Sequence, residues 1–120
     1  MKQGVRRFIP FLVRRGEFTM VKNMKQERSM ALYEAILSIK DLDECCRFFD
    51  DLCTPTELRS MEQRYDVAAA LMGDQVYMEI QEKTGASSAT ISRVRRNILE
   101  NSKSGAMREV ITRLGKKEES

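Results

Sequence analysis

Histidine is absent from the 120 residues, and with it go the H-E-x-x-H zinc helix and every mixed Cys-His metal site. Cysteine is scarce and poorly spaced for chemistry. Cys45, Cys46 and Cys53 form an odd set with no C-x-x-C pair, so they read as buried free thiols in a reducing compartment, without a metal or redox role. No Gly-rich phosphate loop is present, and the acidic residues are scattered along polar faces, so the chain does not read as an enzyme and needs no cofactor. The apolar run Phe8 to Val13 is six residues long, broken by Pro10 and closed by Arg14 and Arg15. That is too short for a membrane span or a signal-peptide core, so the expectation is a cytoplasmic protein with no membrane partner. A single-signed charge is also lacking. The net charge of +3 arises because residues 1–23 hold six basic residues (Lys2, Arg6, Arg7, Arg14, Arg15, Lys22) against Glu17, while the other 97 hold 15 basic and 17 acidic groups. Total charge is therefore no argument for nucleic acid, and any such argument must come from where the arginines sit.

With only two prolines and six glycines, and 42% hydrophobic residues, the chain has room for one helical domain with a real core. Residues 1–23 stand apart as a basic arm interrupted by Gly4, Pro10 and Gly16. Three readings of it compete: an arm touching DNA phosphates, a membrane-surface or partner segment, and a stretch upstream of the true start, since Met20 and Met24 can each initiate. From about Met24 the pattern turns helical. Met30, Tyr33 and Leu37 lie on one face with Leu32, Ile36 and Ile39 beside them. Asp41 and Glu44 form an acidic capping pair for a second helix that carries Leu42, Cys45, Phe49 and Leu52 inward and ends near Cys53. Residues 24–53 thus read as dimerisation helices. At Thr54-Pro55-Thr56-Glu57 a capping box with proline at the first helical position starts a long helix. Its stripe is Leu58, Met61, Tyr65, Ala68 and Met72, and Gly73 is placed to stop it in a left-handed turn.

A shorter helix over residues 75–84, with Val76 and Ile80 inward, ends at Gly85. Ser87 or Ser88 then caps another over 87–100, whose Ile91, Val94 and Ile98 face the core. Two short helices joined by a glycine-containing turn form a helix-turn-helix. A reading helix enters the major groove by its N-terminal end, so small polar residues are needed there. Ser87, Ser88, Ala89, Thr90 and Ser92 offer hydroxyls and a methyl to base edges, and Arg93, Arg95 and Arg96 supply charge, with no acidic residue from Ser87 to Leu99. Gln81 stands where many such motifs carry alanine. The competing structural reading is an ordinary helical hairpin with capping serines and solvated arginines. Residues 101–120 read as a C-terminal helix and tail.

The stretches KDLDECCRFFDDLC (Lys40 to Cys53), Thr54-Pro55-Thr56-Glu57 with Arg64, and TGASSATISR (Thr84 to Arg93) make the chain resemble the Trp repressor family, and more closely its YerC/YecD branch. The resemblance lays residues 24–115 on the family and implies an all-α, Trp-repressor-like fold of six helices in an intertwined dimer. It also implies a homodimer on double-stranded DNA, with Ser88, Ala89, Thr90 and Ser92 at the reading end of the helix. Arg64 and Arg93 match the two arginines that sandwich the indole of bound tryptophan in the repressor, and Thr54 matches a ligand-contacting threonine. Val94, however, replaces a glycine that makes room for the ring, and Asn97 replaces a serine that holds the ligand's amino group. Tryptophan is therefore not the expected effector. A pocket filled by Val94 is preferred over a different small ligand, and Met78 and Gln81 fall where the repressor carries basic residues. The expected function is a sequence-specific DNA-binding transcriptional regulator, a repressor, acting as a homodimer. Its rival is a protein-interaction module of the same fold whose contact is the acidic segment Asp41 to Asp51.

Overall fold

The computed structural model describes residues 28–119. The basic arm over 1–23 and the first residues of the helix expected from Met24 lie outside these described residues. Among the described residues there are six helices: α1 (Met30–Leu37), α2 (Leu42–Leu52), α3 (Pro55–Met72), α4 (Tyr77–Thr84), α5 (Ser88–Val94, continued by a π-helical segment Arg95–Glu100) and α6 (Ala106–Glu119). Two compact units divide in sequence between Cys45 and Cys46, inside α2. No helix among the described residues is long and apolar enough to cross a membrane.

In the first unit, Asp41 and Glu44 work as the sequence suggests. The Glu44 amide donates to the Asp41 carboxylate at 2.8 Å, and the Glu44 carboxylate accepts from the Lys40 amide at 2.9 Å. These bonds serve amides that have no partner within a helix's first turn. Neither α1 nor α2 contains a buried residue: Leu37 is 86% exposed and Leu42 79%. The inward stripe expected for α2 is accordingly not enclosed by the described residues. The cysteines are free as expected but not buried, and Cys46 is exposed, because a helix with no closed interior has nowhere to hide a thiol.

Among the described residues, the buried ones all lie in the second unit: Val67 and Ala68 of α3, Ile80 of α4, Ala86 of the turn, and Ile91, Val94 and Leu99. Met107 and Ile111 of α6 pack against this cluster, and the Arg108 guanidinium donates to the Leu99 carbonyl at 3.2 Å. Helix α3 starts with a complete capping box. Thr54 Oγ1 accepts from the Glu57 amide at 3.1 Å, and Glu57 Oε1 from the Thr54 amide at 2.8 Å. Its end departs from expectation, since Gly73 caps it at φ −88° and the left-handed residue is Asp74, at φ 63°. Val76 is not inward either. It is the extended residue that precedes α4, so its side chain lies off the helix's inner face and is exposed. Within the expected α3 stripe, Ala68 is buried but Met61 is exposed, and Val67 takes the interior place beside Ala68.

Gly85 does terminate α4 in a left-handed conformation, at φ 75°, with its amide on the Gln81 carbonyl at 2.9 Å. Thr84 secures the turn by donating to the Ile80 carbonyl at 2.7 Å and accepting from the Ala86 amide at 3.1 Å. Ser87, rather than Ser88, caps α5, its Oγ accepting from the Thr90 amide at 3.1 Å. At the far end, the Asn101 amide reaches back five residues to the Arg96 carbonyl, at 2.9 Å. This π turn alters the register. Leu99, five residues after Val94, is 7% exposed, whereas Ile98, the residue an unbroken α-helix would turn inward, is only partly buried.

Candidate nucleic-acid interface

Helices α4 and α5 meet through the turn at 85–87 and are locked by Ile80, Ala86, Ile91 and Val94 beneath them. At about 100° per residue, a helix with Ile91 and Val94 on the core places Ala89, Arg93 and Arg96 on the opposite side, with Ser88 on the flank of the first turn. All four are exposed, as is the capping Ser87. The outer face of α5 therefore begins with small side chains and ends with guanidinium groups, and both of its flanks are tied to neighbouring helices.

On the α4 side, the Arg95 Nε–H donates to the Tyr77 hydroxyl at 3.2 Å, and the guanidinium carbon lies 5.3 Å from the centre of the Tyr77 ring. Ser92 is half-buried and is the second polar partner of this phenol. Hydrogen bonding with Ser92, chiefly, holds the Tyr77 pKa below its ordinary value. Desolvation opposes that shift, the Arg95 hydrogen bond and charge reinforce it, and the charge of Glu100 acts weakly against it. Two residues assigned to DNA from sequence, Ser92 and Arg95, are thus also partners of Tyr77.

On the α3 side lies an open groove of about 350 Å³, lined by Ser60, Gln63 and Arg64 of α3 and by Thr90, Arg93, Val94, Asn97 and Ile98. It brings together four of the five residues assigned to an effector pocket: Arg64, Arg93, Val94 and Asn97. Thr54 is not among the lining residues and spends its hydroxyl on the α3 cap. Each groove arginine is held by a hydroxyl of its own helix, Arg64 by Ser60 at 3.3 Å and Arg93 by Thr90 at 3.3 Å. Thr90 Oγ1 also accepts from Ser87 Oγ at 3.1 Å, so Thr90 supports Arg93 as well as the cap. Val94 is 3% exposed and belongs to the core, which makes it the apolar floor of the groove. Gln63 donates to the Thr84 carbonyl at 3.1 Å and ties α3 to the end of α4.

Sequence reasoning missed Ser60, Gln63 and Tyr77. Ser60 carried a signal in its four-residue spacing from Arg64, which places both on one helix face. Tyr77 carried none, because its partners are 15 and 18 residues away. Among the described residues there is no cluster of three or more His, Cys, Asp or Glu side chains suited to a metal ion.

Fold and geometry define an all-α helix-turn-helix protein. Residues 27–114 match the model of the Trp repressor protein family, so the chain belongs to that family. Over 65 residues it is 57% identical to a Bacillus subtilis (strain 168) protein described as uncharacterized protein YerC. That alignment covers 54% of this chain and 62% of the relative, so the chain spans about three-fifths of the curated relative it matches. Two crystal structures are similar over nearly four-fifths of the chain. A TrpR-like protein from Eubacterium eligens ATCC 27750 is 47% identical, with a TM-score of 0.69 over 78% of this chain and 95% of that one. A candidate Trp repressor from Staphylococcus aureus is 35% identical, with a TM-score of 0.68 over 79% and 93%. The family is one of helix-turn-helix regulators rather than of enzymes.

Proposed function

We propose that this chain is a cytoplasmic, sequence-specific regulator of transcription, a repressor, that binds double-stranded DNA as a homodimer through α4, the turn and α5. The observation that carries the reading is the outer face of α5. Exposed Ser87, Ser88 and Ala89 at its N-terminal end let the helix approach base edges, and exposed Arg93 and Arg96 further along reach phosphates. Thr90 contributes by steadying Arg93, and Ser92 and Arg95 act at the edge that carries Tyr77. Arg96 and the free Nη groups of Arg95 take over from Met78 and Gln81, which bring no charge to α4.

Dimerisation is supported by apolar surface that one protomer leaves uncovered, including Tyr33, Leu37, Leu42 and Leu52. A second copy of the chain would cover that surface, and a dimer offers one reading helix to each of two half-sites.

Tryptophan is not the effector in this reading. Val94 fills the floor of the groove over which the indole would lie, and overpacking of that kind costs about 1 to 3 kcal/mol. Selection of bound fragments from random duplex DNA tests the whole reading. A palindromic motif is expected, and a chain that retains no duplex in moderate salt is not a DNA-binding regulator. Isothermal titration with tryptophan tests the effector part, and micromolar binding refutes it.

A further inference from the structure

The aromatic residue that opens α4 has no role of its own in the reading above, yet it holds the Arg95 guanidinium by a hydrogen bond and a ring contact. We infer that Tyr77 is a positioning residue for a phosphate contact, fixing Arg95 so that its two Nη groups are presented to the sugar-phosphate backbone beside the reading helix. This rests on the DNA-binding reading and adds a residue and a mechanism to it.

Three observations carry it. First, the bond between Arg95 and Tyr77 uses Nε, the donor nearest the side chain's stem. Among the described residues the guanidinium makes no other hydrogen bond, so the paired Nη donors remain for a phosphate, which they match in a bidentate fork. Second, the guanidinium is exposed while the ring beneath it is half-buried. The aromatic carbons pack against the core cluster and cannot swing away with the arginine. Third, the lowered Tyr77 pKa reflects polar interaction of the phenol with Ser92 and with Arg95 itself, in keeping with the Arg95 contact. The anchor thus joins the first residue of α4 to the junction where α5 widens into its π turn. An arginine ordered in advance loses less freedom on binding than one that must be frozen by the phosphate itself.

The test uses the full chain and a fluorescein-labelled mixed-sequence duplex, because backbone contacts do not depend on an operator. Affinity is measured by anisotropy across a salt series for the wild type, Tyr77→Phe, Arg95→Gln and the double variant, with thermal melting as a check on folding. Phenylalanine keeps the ring and removes only the hydroxyl. Tyr77→Phe is expected to weaken binding about two- to twelvefold for each protomer bound, the freezing cost of one long side chain per copy, with the salt slope unchanged because the charge remains. Arg95→Gln is expected to lower the slope by about one for each protomer bound. The double variant is expected to bind no more weakly than Arg95→Gln alone, since Tyr77 acts only through Arg95. Wild-type affinity in Tyr77→Phe overturns the inference, and so does a double variant whose losses add. If the wild type itself shows no salt-dependent binding, the DNA-binding reading falls, and this inference with it.

Discussion

Replacing Gly85 by alanine isolates the backbone requirement of the turn that joins α4 to α5. Gly85 sits at φ 75°, and a Cβ built there meets nothing nearer than the Gln63 Nε2 atom at 4.0 Å. Sterics with neighbouring side chains therefore contribute nothing, and the cost is the left-handed conformation alone, about 1 to 2 kcal/mol for an L-residue. Reduced freedom of the unfolded chain returns about 0.4 to 1 kcal/mol. The net expectation is a loss of about 1 kcal/mol for Gly85→Ala. Gly115 provides an internal control of opposite sign. It lies inside α6 with open space around the built Cβ, so Gly115→Ala should gain about 0.5 to 1 kcal/mol. Urea unfolding followed by circular dichroism, at one fixed protein concentration, should separate the two midpoints by about 1 M for a slope near 2 kcal/mol per M. Gly85→Asn should fall between Gly85→Ala and the wild type, since asparagine tolerates the left-handed region. A Gly85→Ala midpoint at or above that of the wild type would refute the reasoning.

Thr54→Ala removes the acceptor for the Glu57 amide and should cost about 1 kcal/mol in the same unfolding assay, with Thr54→Ser close to neutral. Leu99→Ala should cost about 2 to 5 kcal/mol, and Ile98→Ala clearly less, because the π turn puts Leu99 inside; equal losses would contradict that register. The lowered Tyr77 pKa favours the phenolate in the folded state. The resulting stability is present above the unfolded pKa of tyrosine and lost as pH falls through the folded value. An absorbance titration, with Tyr77→Phe subtracted, should accordingly place this ionisation at lower pH than in free tyrosine.

Helix starts were the most legible part of the chain, because they are written locally. Asp41 with Glu44, Thr54 with Glu57 and Ser87 with Thr90 each settle their amides within four residues, and Gly85 announces the turn by itself. Membership of the family was legible for the same reason, in short blocks such as TGASSATISR. Facts that depend on distant partners were not. Nothing adjacent to Gly73 reveals that Asp74 takes the left-handed position, and Val76 reads as an inward residue until α4 is seen to begin one residue later. The spacing of Ile91, Val94 and Ile98 is a fair α-helical stripe, and only the five-residue reach of the Asn101 amide hands the inner place to Leu99. Among the residues singled out for an effector, Arg64 and Arg93 do share a groove, but Thr54 could be separated from it only by locating its hydroxyl on Glu57.

The widened winding over Arg95–Glu100 leaves the molecule with one spare link at a defined place. A residue lost there can be absorbed by tightening the coil, because Leu99 then stands four residues after Val94 and keeps its inner place with the start of α5 undisturbed. A residue lost between Ser88 and Val94 would instead swing the outer face of α5 through more than a quarter of a revolution relative to the core. Variation in the length of α5 and its continuation is therefore accommodated downstream of Val94, leaving the N-terminal tip in place while the tail changes.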